Sequence, residues 1–152
     1  RGGGAEAHPA PEKVAETTAA TPEAAKGNTP LSIAVHALSG EIATRRGDLA
    51  AGVNHFREAA KIEDGGLYFE PPKWYYPIRH SLGAALLKAR QHAEAEKVYR
   101  ADLRRFPENG WSLFGLAQAL RAQGKNSEAD AVEARFRRAW ASTDVTLTAS
   151  RF

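Results

Sequence analysis

The chain contains no cysteine. That excludes disulfide cross-links, thiolate metal sites and cysteine nucleophiles, and leaves folding to burial and hydrogen bonding. No run of 18 apolar residues occurs, so no transmembrane helix is predicted, and no signal-peptide pattern is seen. Also missing are a GxSxG elbow, a Walker loop and a nucleotide-binding glycine fingerprint, and the stretch GAALLKAR has no phosphate-loop spacing. Large apolar residues are missing locally too: Val14 is the only large aliphatic in residues 1–30, which have no aromatic. Such a segment buries too little to offset its ordering entropy and is expected to be a disordered linker or arm.

The five histidines lack metal-ligand spacing. His8 falls in the arm, and His36, His55, His80 and His92 form no HxxH or HExxH pattern. His36 and His80 both fall on first helices of repeats and could approach, but a lone helical histidine is usually structural. The expectation is therefore no metal, no cofactor, no small-molecule substrate and no enzyme activity. The net charge is only +3, with the arm near −1 and the rest near +4. That is mild for a nucleic-acid binder, which concentrates charge on one face, so nucleic acid is not the expected partner. The clusters Arg100, Arg104, Arg105 and Arg135, Arg137, Arg138 fall on second helices. They read as solvated charge paired with Glu96, Asp102 and Glu133.

What the sequence does contain is an internal period. Segments 33–65, 76–109 and 110–143 align, with small residues recurring at Gly40, Gly83 and Ala117 and again at Gly52, Ala95 and Ala129. The second and third copies are 34 residues apart, and the first precedes the second by nine more. Each copy reads as an apolar helix, a Gly or polar turn, and a second, Ala-rich helix. Between the first two copies lies LYFEPPKWYY, with Tyr68, Phe69, Trp74, Tyr75 and Tyr76. Gly65-Gly66 ends the preceding helix, Pro71-Pro72 favours extended geometry and Pro77 suits a helix start.

The pattern resembles the tetratricopeptide repeat family over residues 33–143. In the second copy Leu82-Gly83 stands at the family's Leu-Gly pair, Leu86 at its Tyr, and Ala95, Tyr99 and Pro107 at the later Ala, aromatic and Pro. The first copy keeps Gly47, Gly52, Phe56 and Ala59 but lacks the closing Pro. The third keeps Leu113, Leu116, Leu120, Gly124 and Ala129 but has Glu133 where an aromatic is expected, its stripe running through Val132, Phe136 and Trp140. Departure of this kind suits a terminal repeat. The runs EPPKWYYPIRHSLGAALLKA, FPENGWSLFGLAQALRAQGK and TASRF also look like the C-terminal region of long bacterial tetratricopeptide proteins of uncharacterised role. That likeness would make Phe152 a natural C-terminus and residues 1–30 a link to something upstream.

The resemblance implies an all-α, right-handed α-solenoid of three helix-turn-helix repeats. The division is an arm at 1–30, a domain at 31–143 (repeats 33–66, 76–109 and 110–143, insertion 67–75) and a tail at 144–152. The tail is expected to fold back over the last helix through Val145, Leu147 and Phe152. In the family the first helices line a concave groove, here through Ala37, Glu41, Arg45, His80, Ala84, Leu87, Lys88, Trp111, Phe114, Gln118 and Arg121. The family's carboxylate clamp is missing, since Ala37, Glu41, Trp111 and Gly115 hold its positions. The expectation is a non-enzymatic interaction module for a protein or peptide ligand. Its contacts would be Trp111, Phe114, His80, Lys88, Arg121, Gln118 and Arg45, with Trp74 and Tyr75 at the rim, and its ligand would have apolar anchors and some acidic character. Competing readings are a structural spacer whose aromatics pack internally and a docking arm for an upstream catalytic or metal-handling domain. A homo-oligomer is possible on either reading, and the cytoplasm is the slightly preferred compartment.

Overall fold

The computed structural model describes residues 30–65 and 76–151. The arm at 1–29, the segment 66–75 with Trp74 and Tyr75, and Phe152 lie outside them. Six helices follow in order: α1 (Pro30–Arg45), α2 (Leu49–Gly65), α3 (Ile78–Lys88), α4 (His92–Arg105), α5 (Gly110–Ala122) and α6 (Asn126–Ala139). The described residues contain no strand, and none of their helices is long and apolar enough to cross a membrane. Each helix packs on the next, and α3 also touches α5, giving three consecutive helical hairpins.

Local chemistry sets the boundaries. The three hairpin turns place Gly47, Arg90 and Gly124 at φ +87°, +58° and +75°. Glycine adopts this left-handed geometry without steric cost, and Arg90 takes it against the Cβ penalty. Asp48 accepts a 3.0 Å bond from the Ala51 amide at the start of α2. At the start of α5 the Asn109 side chain accepts from the amides of Trp111 (3.0 Å) and Ser112 (3.3 Å). Both side chains satisfy donors that a helix N-terminus leaves unpaired. The ends of α2 and α3 are tied together around segment 66–75. The Glu63 carboxylate accepts from the Ile78 amide, and Arg79 pairs with Asp64, which Arg105 of α4 also approaches at 3.6 Å.

The core runs through all three hairpins, from Ile33, Val53 and Phe56 through Ile78, Leu82, Leu86 and Tyr99 to Leu113, Leu116 and Leu120. Its tightest point is Tyr99 of α4, which is fully buried. A Cβ added at Gly83 of α3 would meet the Tyr99 ring at 2.3 Å, and one at Gly115 of α5 would meet it at 2.2 Å. The two glycines therefore face the ring from two helices, and no larger residue fits at either position without moving a packed element. The equivalent pair in the first hairpin is Gly40 and Phe56, where an added Cβ would lie 3.0 Å from the ring. In the third hairpin the corresponding residues are Ala117 and Glu133, and an open pocket lined by them with Phe114, Gln118, Phe136 and Arg137 takes the aromatic's place.

Salt bridges lace the second helices. Glu96 of α4 accepts from Lys125 (2.7 Å), Arg100 (2.8 Å) and Gln123 (2.9 Å), and Arg100 also bonds Glu128 of α6 at 2.8 Å. Asp102, expected among the solvated charges, is instead fully buried.

Two outcomes follow. Gly83→Ala and Gly115→Ala should each destabilise by about 1–3 kcal/mol through overpacking, seen as a lowered midpoint in thermal or urea unfolding. The Lys125 ammonium, then Arg100 and Gln123, hold the Glu96 carboxyl at about 2 against an ordinary 4.5. A depressed carboxyl pKa stabilises fully above the unfolded value, and the contribution is lost as pH falls from 4.5 toward 2. Glu96→Gln should flatten the stability–pH curve in that window.

Candidate functional site

Of the expected contact residues, His80 is in the interior. It is only 3% exposed, and its Nε2 lies 3.2 Å from the Asp102 carboxylate, which also accepts from the Ser112 hydroxyl at 2.6 Å. Asp102 thus joins α3, α4 and α5 through side chains, and a polar cluster replaces the expected groove contact. The reason is geometric: Asp102 stands on the inward side of α4, so a donor on α3 is drawn under the surface. Its Oδ1 has no hydrogen-bond partner among the described residues.

Trp111 and Phe114 pack against α6 and its end. Trp111 meets Trp140 edge-on at 5.7 Å, Phe114 meets Phe136 at 5.5 Å, and Phe136 stacks on Trp140 at 5.7 Å. Trp140 also sits over Gly110, where an added Cβ would lie 2.2 Å from its ring. These half-buried aromatics form one ladder between α5 and α6, and pairs of this kind are worth about 0.5–1.5 kcal/mol beyond their buried area. Gln118 is exposed beside them. Tyr76, from the end of the aromatic insertion, is half-buried against the core.

The cations have internal partners. Lys88 donates to the Thr44 carbonyl at 3.3 Å, joining the C-terminal ends of α3 and α1. Arg121 bonds Asp130 at 2.8 Å and Glu133 at 2.7 Å. Arg45 is 80% exposed and lies 3.8 Å from Glu41 Oε2. In the basic clusters, Arg135 bonds Glu108 at 2.6 Å and Arg137 approaches Glu133 at 3.9 Å. The histidines pair differently from the expectation: His36 and His55, on α1 and α2, have their Nδ1 atoms 3.2 Å apart, one ring donating to the other. Burial, then the neighbouring His36, lowers the His55 pKa. Among the described residues no group of three or more His, Cys, Asp or Glu could hold a metal ion.

After Ala139 the chain leaves helical geometry and turns back along the bundle. The Trp140 indole N–H donates to the Val145 carbonyl at 2.7 Å. Leu147 is buried yet lies outside the main core cluster. The Ser150 hydroxyl is hydrogen-bonded to the Tyr99 hydroxyl and is 1% exposed. Arg151 then donates to Glu41 Oε1 on α1. Against the expectation that it covers the last helix, the contacts of the tail go to Trp140, to Tyr99 of α4 and to Glu41 of α1, at the opposite end of the helix order. Val145, expected to bury, is 52% exposed and contributes its carbonyl instead. The hydroxyl and the cation that anchor the tail are polar, so a search for apolar positions does not find them.

Tyr99 makes this possible. Its ring occupies the Gly83–Gly115 slot, and its hydroxyl emerges where Ser150 can meet it. Burial pushes its pKa up, so the phenol stays protonated and able to donate. Glu41 supplies the second anchor. Its Oε1 takes Arg151, while its Oε2 is buried without a hydrogen-bond partner among the described residues.

Removing Asp102 strands two buried donors. Asp102→Ala should cost about 1–3 kcal/mol for each donor left unsatisfied, read as a drop in unfolding free energy. His80→Ala should likewise lower the unfolding midpoint.

Compared with family models, with curated proteins and with solved structures, the chain finds no match.

Proposed function

We propose that this chain is a non-enzymatic protein-interaction module, a three-repeat helical solenoid of the tetratricopeptide kind. It binds an extended segment of a partner protein across the side that carries Glu41 of α1 and the Tyr99 hydroxyl of α4. The observation that carries this reading is the tail: a non-helical segment of this chain is held there by a hydroxyl pair at Tyr99 and an ion pair at Glu41. A surface that holds one non-helical segment through side-chain contacts has the chemistry to hold another, and pockets that pick out alternate side chains are a general mode of peptide recognition. Supporting it as well are the 34-residue period and the Gly83–Tyr99–Gly115 packing, which turns the repeat's small residues into a spacing device.

A second reading, a structural spacer within a longer protein, is favoured by one observation. Trp111 and Phe114 pack on Trp140 and Phe136 and so have an internal role. The two readings differ at Glu41, which a spacer does not need for binding.

Peptides selected from a random display library on the purified chain should therefore bind in a Glu41-dependent way. Glu41→Arg should weaken them at least about tenfold, about 1.4 kcal/mol, while circular dichroism stays unchanged. Selection of no peptide on either the wild type or its Arg151→Glu variant, or of peptides indifferent to Glu41→Arg, would move the conclusion to the spacer.

A further inference from the structure

The tail is seated like a ligand but is an imperfect one. Arg151 engages Glu41 at Oε1, while Oε2, buried and 3.8 Å from Arg45, makes no hydrogen bond among the described residues. A guanidinium can take both oxygens of a carboxylate in a parallel fork, which is stronger and more directional. Ahead of Arg151, Ser150 satisfies Tyr99, and Leu147 is the buried apolar side chain of the tail. The rest of the tail contributes little side-chain burial: Val145, Thr146 and Thr148 are exposed.

The charge balance of this side is also plain. Lys88 and Arg121 have internal acceptors and Arg45 lies 3.8 Å from Glu41 Oε2, so the charged group that meets the tail is the Glu41 carboxylate. A ligand here would bring positive charge, against the sequence expectation of an acidic one.

Resting on the interaction-module reading above, we propose that residues 144–151 are an intramolecular pseudo-ligand that closes this surface. The partner that displaces them is an extended basic segment carrying an aliphatic residue, then a hydroxyl residue immediately followed by arginine. The order Leu147, Ser150, Arg151 states the recognition pattern: an apolar anchor, a hydroxyl on Tyr99 and a guanidinium on Glu41. Because the tail is tethered, it competes at a high effective concentration and lowers the apparent affinity of any external segment. A partner whose arginine forks onto both Glu41 oxygens would recover part of that loss. The chain thus holds itself closed until a better-matched basic segment arrives.

The test uses the full chain and an amidated, fluorescein-labelled peptide of residues 144–151, DVTLTASR, followed by fluorescence polarisation. Wild type should bind it weakly. Arg151→Glu, which repels the tail from Glu41, should bind it at least about tenfold more tightly. Glu41→Arg alone, which also repels its own tail, should not bind that peptide and should bind one with its arginine changed to glutamate. This charge swap keeps the test informative if a single variant loses stability. Equal binding to wild type and Arg151→Glu would overturn the closure. If Arg151→Glu ignores the tail peptide yet binds library peptides in a Glu41-dependent way, the recognition pattern fails and the interaction-module reading stands. If it binds neither, both fail.

Discussion

The packing of one tyrosine between two glycines is the constraint on which the rest of this structure depends. Tyr99 belongs to the second helix of the middle hairpin, yet its ring meets the first helices of its own and the following hairpin at Gly83 and Gly115. Interiors are packed to near-crystalline density, so an aromatic that fills the gap between two helices fixes their separation as firmly as a covalent spacer of that width. Beside it, Asp102 gathers His80 from α3 and Ser112 from α5 into one buried polar cluster. Shape and polarity at this junction thus hold the same three helices in register.

Charge is used mainly to join neighbouring helices. Glu96 collects Lys125, Arg100 and Gln123, Arg121 holds Asp130 and Glu133, and Arg135 reaches Glu108. Exposed pairs such as these contribute little each, and networks contribute more than isolated contacts. Lys125, Arg100, Arg121 and Arg135 are thereby each paired with a carboxylate of another helix or turn.

Much of the helix order was legible from the sequence. Gly47 and Gly124 mark two of the hairpin turns, and Pro107 marks the end of the second repeat. Gly83 announced a close approach, although its partner, an aromatic sixteen positions on in the same repeat, is visible only through the period. The site was less legible. The spacing of Trp111 and Phe114 puts them on one face and suits either a ligand contact or packing on a neighbouring helix; that α6 and its end bring Phe136 and Trp140 to that face is a matter of packing. His80 was placed by register on the groove, where Asp102 on another helix draws it inward. Apolar spacing suggested that the tail folds back, and gave no sign that Ser150 and Arg151 would fasten it.

By itself, then, the sequence determined the helical class, the six segments and the small residues at which helices approach, because these follow from periodicity and from the local geometry of glycine and proline. Only the tertiary structure decided which polar groups meet. Tyr99 finds Ser150 across 51 positions and Glu41 finds Arg151 across 110, and no local rule couples residues so far apart. Directional hydrogen bonds need two groups at one point in space, and that point exists only once the packed helices have fixed the slot through which the Tyr99 hydroxyl emerges.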